Sequence, residues 1–144
     1  MKTNAARAFE AIRHGDAITL RNILDDGTAV GTRDPDGVSL LMCASAAGHT
    51  PIISMLVARG ADVNETWSGG WTPLARAAIA NSGPAVATLL AAGAHPSPLV
   101  GDHAPEPLLE FVRRQWPERE EIVRLLAAAA AARVSQPTSR ARKP

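Results

Sequence analysis

Small and apolar residues recur along this chain as short helical stripes, and the stripes come in pairs. Leu41, Ala44 and Ser45 stand at i, i+3 and i+4, and Leu74, Ala77 and Ala78 repeat them further along. A second stripe follows each: Ile52, Ile53, Leu56 and Val57, then Ala85, Val86, Leu89 and Leu90. These spacings predict two helices per unit, each burying one face. Polar punctuation marks their ends. Ser39-Leu40-Leu41 and Thr72-Pro73-Leu74 start the first helices, the hydroxyl capping free N–H groups and Pro73 fixing φ. Gly48 breaks one first helix, and Pro51 and Pro84 open the second ones. Gly60 and Gly93 fall just past the second helices, where φ is positive and a Cβ is penalised. The segment 61–71, ADVNETWSGGW, is turn-rich and leads to the next Thr-Pro-Leu.

The period holds in independent columns. Gly27, Gly60 and Gly93 are 33 apart, as are Gly15 and Gly48, Ala8, Leu41 and Leu74, and Pro51 and Pro84. A repeat of this length marks units that bury their apolar faces only by stacking.

The unit (helix, turn, helix, extended turn) resembles the ankyrin repeat. Residues 36–64, DGVSLLMCASAAGHTPIISMLVARGADVN, and 70–94, GWTPLARAAIANSGPAVATLLAAGA, carry the pattern most fully. The expected organisation is a domain over 1–132, with repeats at about 4–34, 35–67, 68–97 and 98–130. The first repeat keeps Gly15-Asp16 and Leu24-Asp25-Asp26-Gly27 but lacks Thr-Pro-Leu, and its polarity suits a terminal cap. In the fourth, Glu106-Pro107-Leu108 replaces Thr-Pro-Leu one place late. There EIVRLL (121–126) matches the second helix once a short insertion is allowed around Gln115-Trp116-Pro117. A register aligning Pro117 with Pro84 would put Arg124 in the buried stripe. The family's first-helix histidine is replaced by Met42 and Ala75, so the hydrogen bonds it implies to the neighbouring turn would be missing and the hairpins more mobile.

The resemblance implies an all-α ankyrin solenoid, its helix pairs joined by β-hairpin-like turns. It also implies a concave face that binds other proteins and seldom carries catalytic chemistry. In this register the exposed side of the first helices presents Glu10, Arg13 and His14, then Cys43, Ala46 and Ala47. Arg76, Ile79 and Ala80 follow, then Glu110, Arg113 and Arg114. The turn tips carry Arg33-Asp34-Pro35-Asp36, Thr66-Trp67-Ser68-Gly69 and Leu99–His103. A small apolar centre with charged ends is the anatomy of a protein-binding patch. The candidate binding residues are Arg33, Asp34, Ala46, Trp67, Ser68, Trp71, Arg76, Ile79 and Arg113. Trp67 reads either as an anchor for a partner or as a ring folded onto Trp71 or a neighbouring tip. Trp71, just before Thr-Pro-Leu, has a structural reading as well.

Composition supports helices. Alanine supplies 28 of 144 residues and there are only five aromatics, so the core must be close-packed from small side chains. Thirteen arginines against two lysines suit a GC-rich bacterium. Residues 133–144 hold four basic residues and no acid, and are expected to form a basic disordered tail. The remainder carries eleven basic against fourteen acidic residues, which argues against a nucleic-acid face. The run Ala127–Ala132 is expected to lengthen the last helix.

Enzymatic constellations do not assemble. Cys43 has no base within its helix and reads as a small, partly buried side chain. His14, His95 and His103 lie in different repeats without ligand spacing, and His49 reads as a cap on the second helix. Gly69-Gly70 precedes Trp-Thr-Pro, not Gly-Lys-Ser/Thr. No catalytic residue, cofactor site or metal site is expected. Neither a signal peptide nor a long unbroken apolar span is visible, so a cytoplasmic location without membrane contact is expected. The function expected is non-enzymatic binding of a partner protein. Alternatives are inhibition of a bacterial toxin or enzyme, homodimer formation through the same patch, and weak nucleic-acid contact by the tail.

Overall fold

A computed structural model describes residues 1–135. Eight α-helices within them form four helical hairpins. These are α1 (Asn4–His14) with α2 (Ala17–Asp25), α3 (Leu40–Ala47) with α4 (Thr50–Ala58), α5 (Pro73–Ile79) with α6 (Gly83–Ala91), and α7 (Leu108–Gln115) with α8 (Glu120–Ser135). The first helices pack in a row, α1 on α3, α3 on α5 and α5 on α7, while α4, α6 and α8 form the outer row. Ala8, Ala44, Ala77 and Ala78 are fully buried, and their small side chains let the inner helices approach closely. One core runs through all four units, including Ile12, Leu20, Leu41, Ile53, Leu56, Leu74, Leu89, Leu108 and Leu126. The chain is therefore an all-α solenoid in which each unit completes its neighbour's core.

Hydroxyl and carboxylate caps start five of the helices. Thr3, Asp16, Ser39, Thr72 and Ser82 each accept a hydrogen bond from the amide three places on. His49 departs from expectation. It holds the N-cap position of α4 but makes no capping bond. Its ring instead lies over Gly15 of the preceding unit, so close that a Cβ there would stand 3.1 Å from it.

The turn between paired helices needs a left-handed residue, and Gly15 (φ 69°) and Gly48 (φ 72°) supply it. Asn81, one period after Gly48, takes the same conformation at φ 57° and completes a column that glycine alone did not reveal. Asn81→Ala is expected to lose about 1 kcal/mol of stability, because alanine resists this region, while Asn81→Gly stays within about 0.5 kcal/mol of wild type. Urea denaturation separates the two. Equal losses would mean that the asparagine side chain, and not the backbone, matters there.

The fourth unit follows the late register. Leu108 is buried one place beyond the position that the period from Leu74 would give, Ile122 and Leu126 are buried, and Arg124 is exposed. The insertion lies around Trp116 and Pro117, between α7 and α8. The last helix continues through Ala127–Ala132 to Ser135, and so takes in the start of the segment expected as a disordered tail. The rest of that segment, 136–144, lies outside the described residues. No helix among the described residues is long and apolar enough to cross a membrane.

Three hairpin tips join the units. Bridges link Arg33 with Ser39 and Trp67 with Trp71, and the third tip is a short antiparallel pair, β1 (Leu99–Val100) with β2 (Glu106–Pro107).

Candidate functional site

The tips are fastened to one another by side chains that reach from unit to unit. Glu65 accepts hydrogen bonds from the Ser39 hydroxyl and, at 3.3 Å, from Arg33, which also donates to the Gly37 carbonyl at 2.6 Å. Asn64 receives the His95 amide at 2.7 Å and donates to the Gly93 carbonyl at 3.3 Å. The Gly101 amide donates to the Gly69 carbonyl at 3.0 Å. Met42 and Ala75 are fully buried where the histidine would stand, and these other bonds tie the hairpins in its place. Loss of the histidine therefore does not leave the tips untied.

Trp67 contacts the neighbouring tip. Its indole N–H donates to the Asp36 carbonyl at 2.7 Å, and its ring lies on Gly37, where a Cβ would be 3.2 Å away. The Arg76 guanidinium stands over this ring, 5.7 Å from its centre. Trp71 is half-buried and packs edge-on against Phe111 at 5.4 Å, and Phe111 meets Trp116 at 6.1 Å. Arg119 lies over Trp116 at 4.1 Å and donates to the Ala78 and Ile79 carbonyls, satisfying the free C-terminal end of α5. Both tryptophans from the candidate set thus hold the stack together.

Of the residues expected at the centre of the concave face, Cys43, Ala46 and Ile79 are half-buried, Ala47 and Ala80 are exposed, and the half-buried Arg76 adds a charge among them. At one end Arg13 and His14 are exposed, and Glu10 pairs with Lys2 at 2.7 Å. At the other end Arg113 meets Glu110 at 3.3 Å, and Arg114 pairs with Glu106, whose hydrogen bond pushes the guanidinium pKa up. Arg33 and Ser68 are exposed at the tips, and Asp34 accepts the Asp36 and Val38 amides within its own turn. Ala46, Arg76 and Ile79 are half-buried on α3 and α5, which pack together, while Arg33 and Asp34 lie on the first tip, Ser68 on the second and Arg113 on α7.

Sequence reasoning missed Glu65, Asn64 and Arg119. Each bonds to a partner 26 to 41 positions away, and no local motif records such a pairing. Burial pushes the Cys43 thiol pKa up, which keeps it protonated and poorly nucleophilic. No group of three or more metal-binding side chains occurs among the described residues.

The repeat and its helical hairpins have counterparts in known proteins. Residues 8–98 match the family described as ankyrin repeats in three copies. The chain belongs to the ankyrin-repeat family. It is 43% identical over 61 residues to human ankyrin repeat domain-containing protein 29, covering 42% of this chain and 20% of that protein. Over 88 residues it is 34% identical to mouse ankyrin repeat and SAM domain-containing protein 6, covering 60% of this chain and 10% of the relative. A third match, 32% identical over 88 residues, is to mouse inactive serine/threonine-protein kinase TEX14, covering 61% of this chain and 6% of that protein. The chain thus spans a fifth or less of the length of these relatives, and the likeness is confined to part of each. Ankyrin repeats in general serve as protein-interaction modules.

Proposed function

We propose that the chain is a non-enzymatic module that binds one partner protein on the concave face made by α1, α3, α5, α7 and the three tips. The observation that carries this reading is the partial exposure of small side chains on and beside α3 and α5 (Cys43, Ala46, Ala47 and Ala80), with charged residues on α1 and α7 to either side. The tips are held by the Glu65, Trp67 and Asn64 bonds, so little side-chain freedom remains to be lost on association. In this reading Ala46, Arg76 and Ile79 contact the partner, Arg33, Asp34, Ser68 and Arg113 form the polar rim, and Trp67 and Trp71 serve the scaffold.

The test compares two neutral, bulky double variants. Ala47→Tyr/Ala80→Tyr alters exposed positions on the inner helices, and Ser54→Tyr/Ala87→Tyr alters exposed positions on α4 and α6. Circular dichroism verifies that both fold. In affinity capture from the source cell, the first variant is expected to lose at least tenfold of the retained partner while the second keeps it. Loss only in the second variant would place the interface on the outer helices and overturn the reading. A partner that survives both variants would overturn it too.

A further inference from the structure

The first tip is not fastened to α1 as the second tip is fastened to the first. Trp67 lays its indole on Gly37 and donates to the Asp36 carbonyl, and Glu65 accepts from the Ser39 hydroxyl. One period earlier the places of these two side chains are held by Asp34 and Thr32. Asp34 turns its Oδ1 to the Asp36 and Val38 amides of its own turn, and the Thr32 hydroxyl donates to the Ala29 carbonyl. Neither side chain makes a hydrogen bond to α1 among the described residues.

A groove of about 540 Å³ lies there, between the start of α1 and the first tip. Thr3, Ala6 and Phe9 line it on one side and Asp34 and Pro35 on the other, with Arg13 and Arg33 also in its wall. A step of 33 residues carries Thr3 to Asp36, Ala6 to Ser39 and Asp34 to Trp67. The groove is therefore the first unit's counterpart of the seat that the second unit fills with its own indole.

Its lining suits an aromatic ring that carries a donor. Phe9, Ala6 and Pro35 supply apolar contact, and Phe9 can meet a second ring edge-on. Arg13 is exposed and makes no ion pair among the described residues, which leaves its guanidinium for the face of a ring. Arg33 is held by the Gly37 carbonyl at 2.6 Å and by Glu65 at 3.3 Å, so it presents a fixed plane. Asp34 uses only one carboxylate oxygen. Its Oδ2 accepts no hydrogen bond among the described residues, and a charged oxygen is a strong acceptor for an indole N–H. An aliphatic side chain would leave that oxygen unanswered, and a carboxylate would meet it as a like charge. Arg13 and the first tip belong also to the concave face, so the groove continues that face toward the N-terminus.

We propose that the groove takes a tryptophan side chain of the partner protein, its ring packed on Phe9 and Pro35 beside Arg13 and Arg33, and its N–H donated to Asp34. This rests on the concave-face reading and names the residue by which the partner is anchored.

The probe is the pentapeptide Gly-Ser-Trp-Ser-Gly, blocked at both ends and titrated into the isotope-labelled full chain while amide chemical shifts are followed. Millimolar peptide is expected to shift the amides of Ala5, Ala6, Arg13, Arg33 and Asp34. Methylation of the indole nitrogen should weaken binding about fivefold, and so should cyclohexylalanine in place of tryptophan. Asp34→Asn keeps an acceptor for the turn amides and should bring the tryptophan peptide down to the affinity of its methylated form. Ala6→Phe, an exposed position on α1, fills the groove and should weaken binding about tenfold, circular dichroism verifying the fold. Absence of shifts at these amides overturns the proposal. So does equal binding of the methylated or cyclohexylalanine peptide, tighter binding of a glutamate peptide, or unchanged binding by Ala6→Phe. The parent reading is scored separately. If the captured cellular partner is lost by Ala47→Tyr/Ala80→Tyr but kept by Ala6→Phe, the concave face stands and the tryptophan anchor falls.

Discussion

Replacing Gly70 by alanine is expected to cost about 3 kcal/mol of stability, the largest single effect on any tip. Two causes add. Gly70 sits at φ 75°, where an L side chain costs about 1–2 kcal/mol. Its added Cβ would also collide with the carbonyl oxygen of Leu99, which is backbone of the next tip and paired in β1–β2. Gly69 makes an informative comparison. It has nearly the same φ, 74°, but a Cβ there meets the Asp102 carboxylate, a side chain that can swing aside. Gly69→Ala should therefore cost only the conformational part, about 1–2 kcal/mol. Urea denaturation of the three proteins measures both. If the two variants lose the same amount, the second and third tips are not in the close contact described.

Trp67→Ala is expected to lose about 2 kcal/mol, the sum of three modest contributions. The change removes the bond to the Asp36 carbonyl, the ring's contact with Gly37 and the face offered to Arg76. A neutral hydrogen bond contributes about 1 kcal/mol and an exposed cation–π contact about 0.5–1 kcal/mol, the remainder coming from half-buried apolar area. Trp67→Phe keeps a ring under Arg76 and loses the N–H, so about half of the loss should return. Guanidinium titration read by far-ultraviolet circular dichroism decides the matter. A loss below about 0.5 kcal/mol for Trp67→Ala, the range of an ordinary surface substitution, would show that the ring is free surface, available as a partner's anchor.

How much of this was legible in the sequence follows from where each constraint is written. Proline, glycine and hydroxyl caps act on their own backbone. The repeating columns at Gly15 and Gly48, at Ser39 and Thr72, and at Gly60 and Gly93 therefore display the repeat in the sequence alone. The same logic selected the register of the fourth unit, since Arg124 can be exposed only in the late one. Asn81 escaped because asparagine also tolerates a left-handed backbone, and a column of glycines does not announce it. His49 was misread because its position is that of a cap while its ring is used by the unit before. Glu65 and Arg119 were invisible, as their partners are brought close only by stacking. For the candidate site, the helix register placed Ala46, Arg76 and Ile79 on one surface. It left open whether Trp67 faced a partner or a neighbouring tip, and the contact that the indole makes within the chain is with the tip.

The central claim is that a partner seats on the concave face, and site-specific photocrosslinking in the source cell tests it most directly. Benzoylphenylalanine would be placed singly at Ala47 and Ala80 on the inner helices, and at Ser54 and Ala87 on the outer ones. The account predicts one shared crosslinked partner from Ala47 and Ala80, and none of it from Ser54 or Ala87. Capture of that partner from the outer positions alone, or equally from all four, would contradict it.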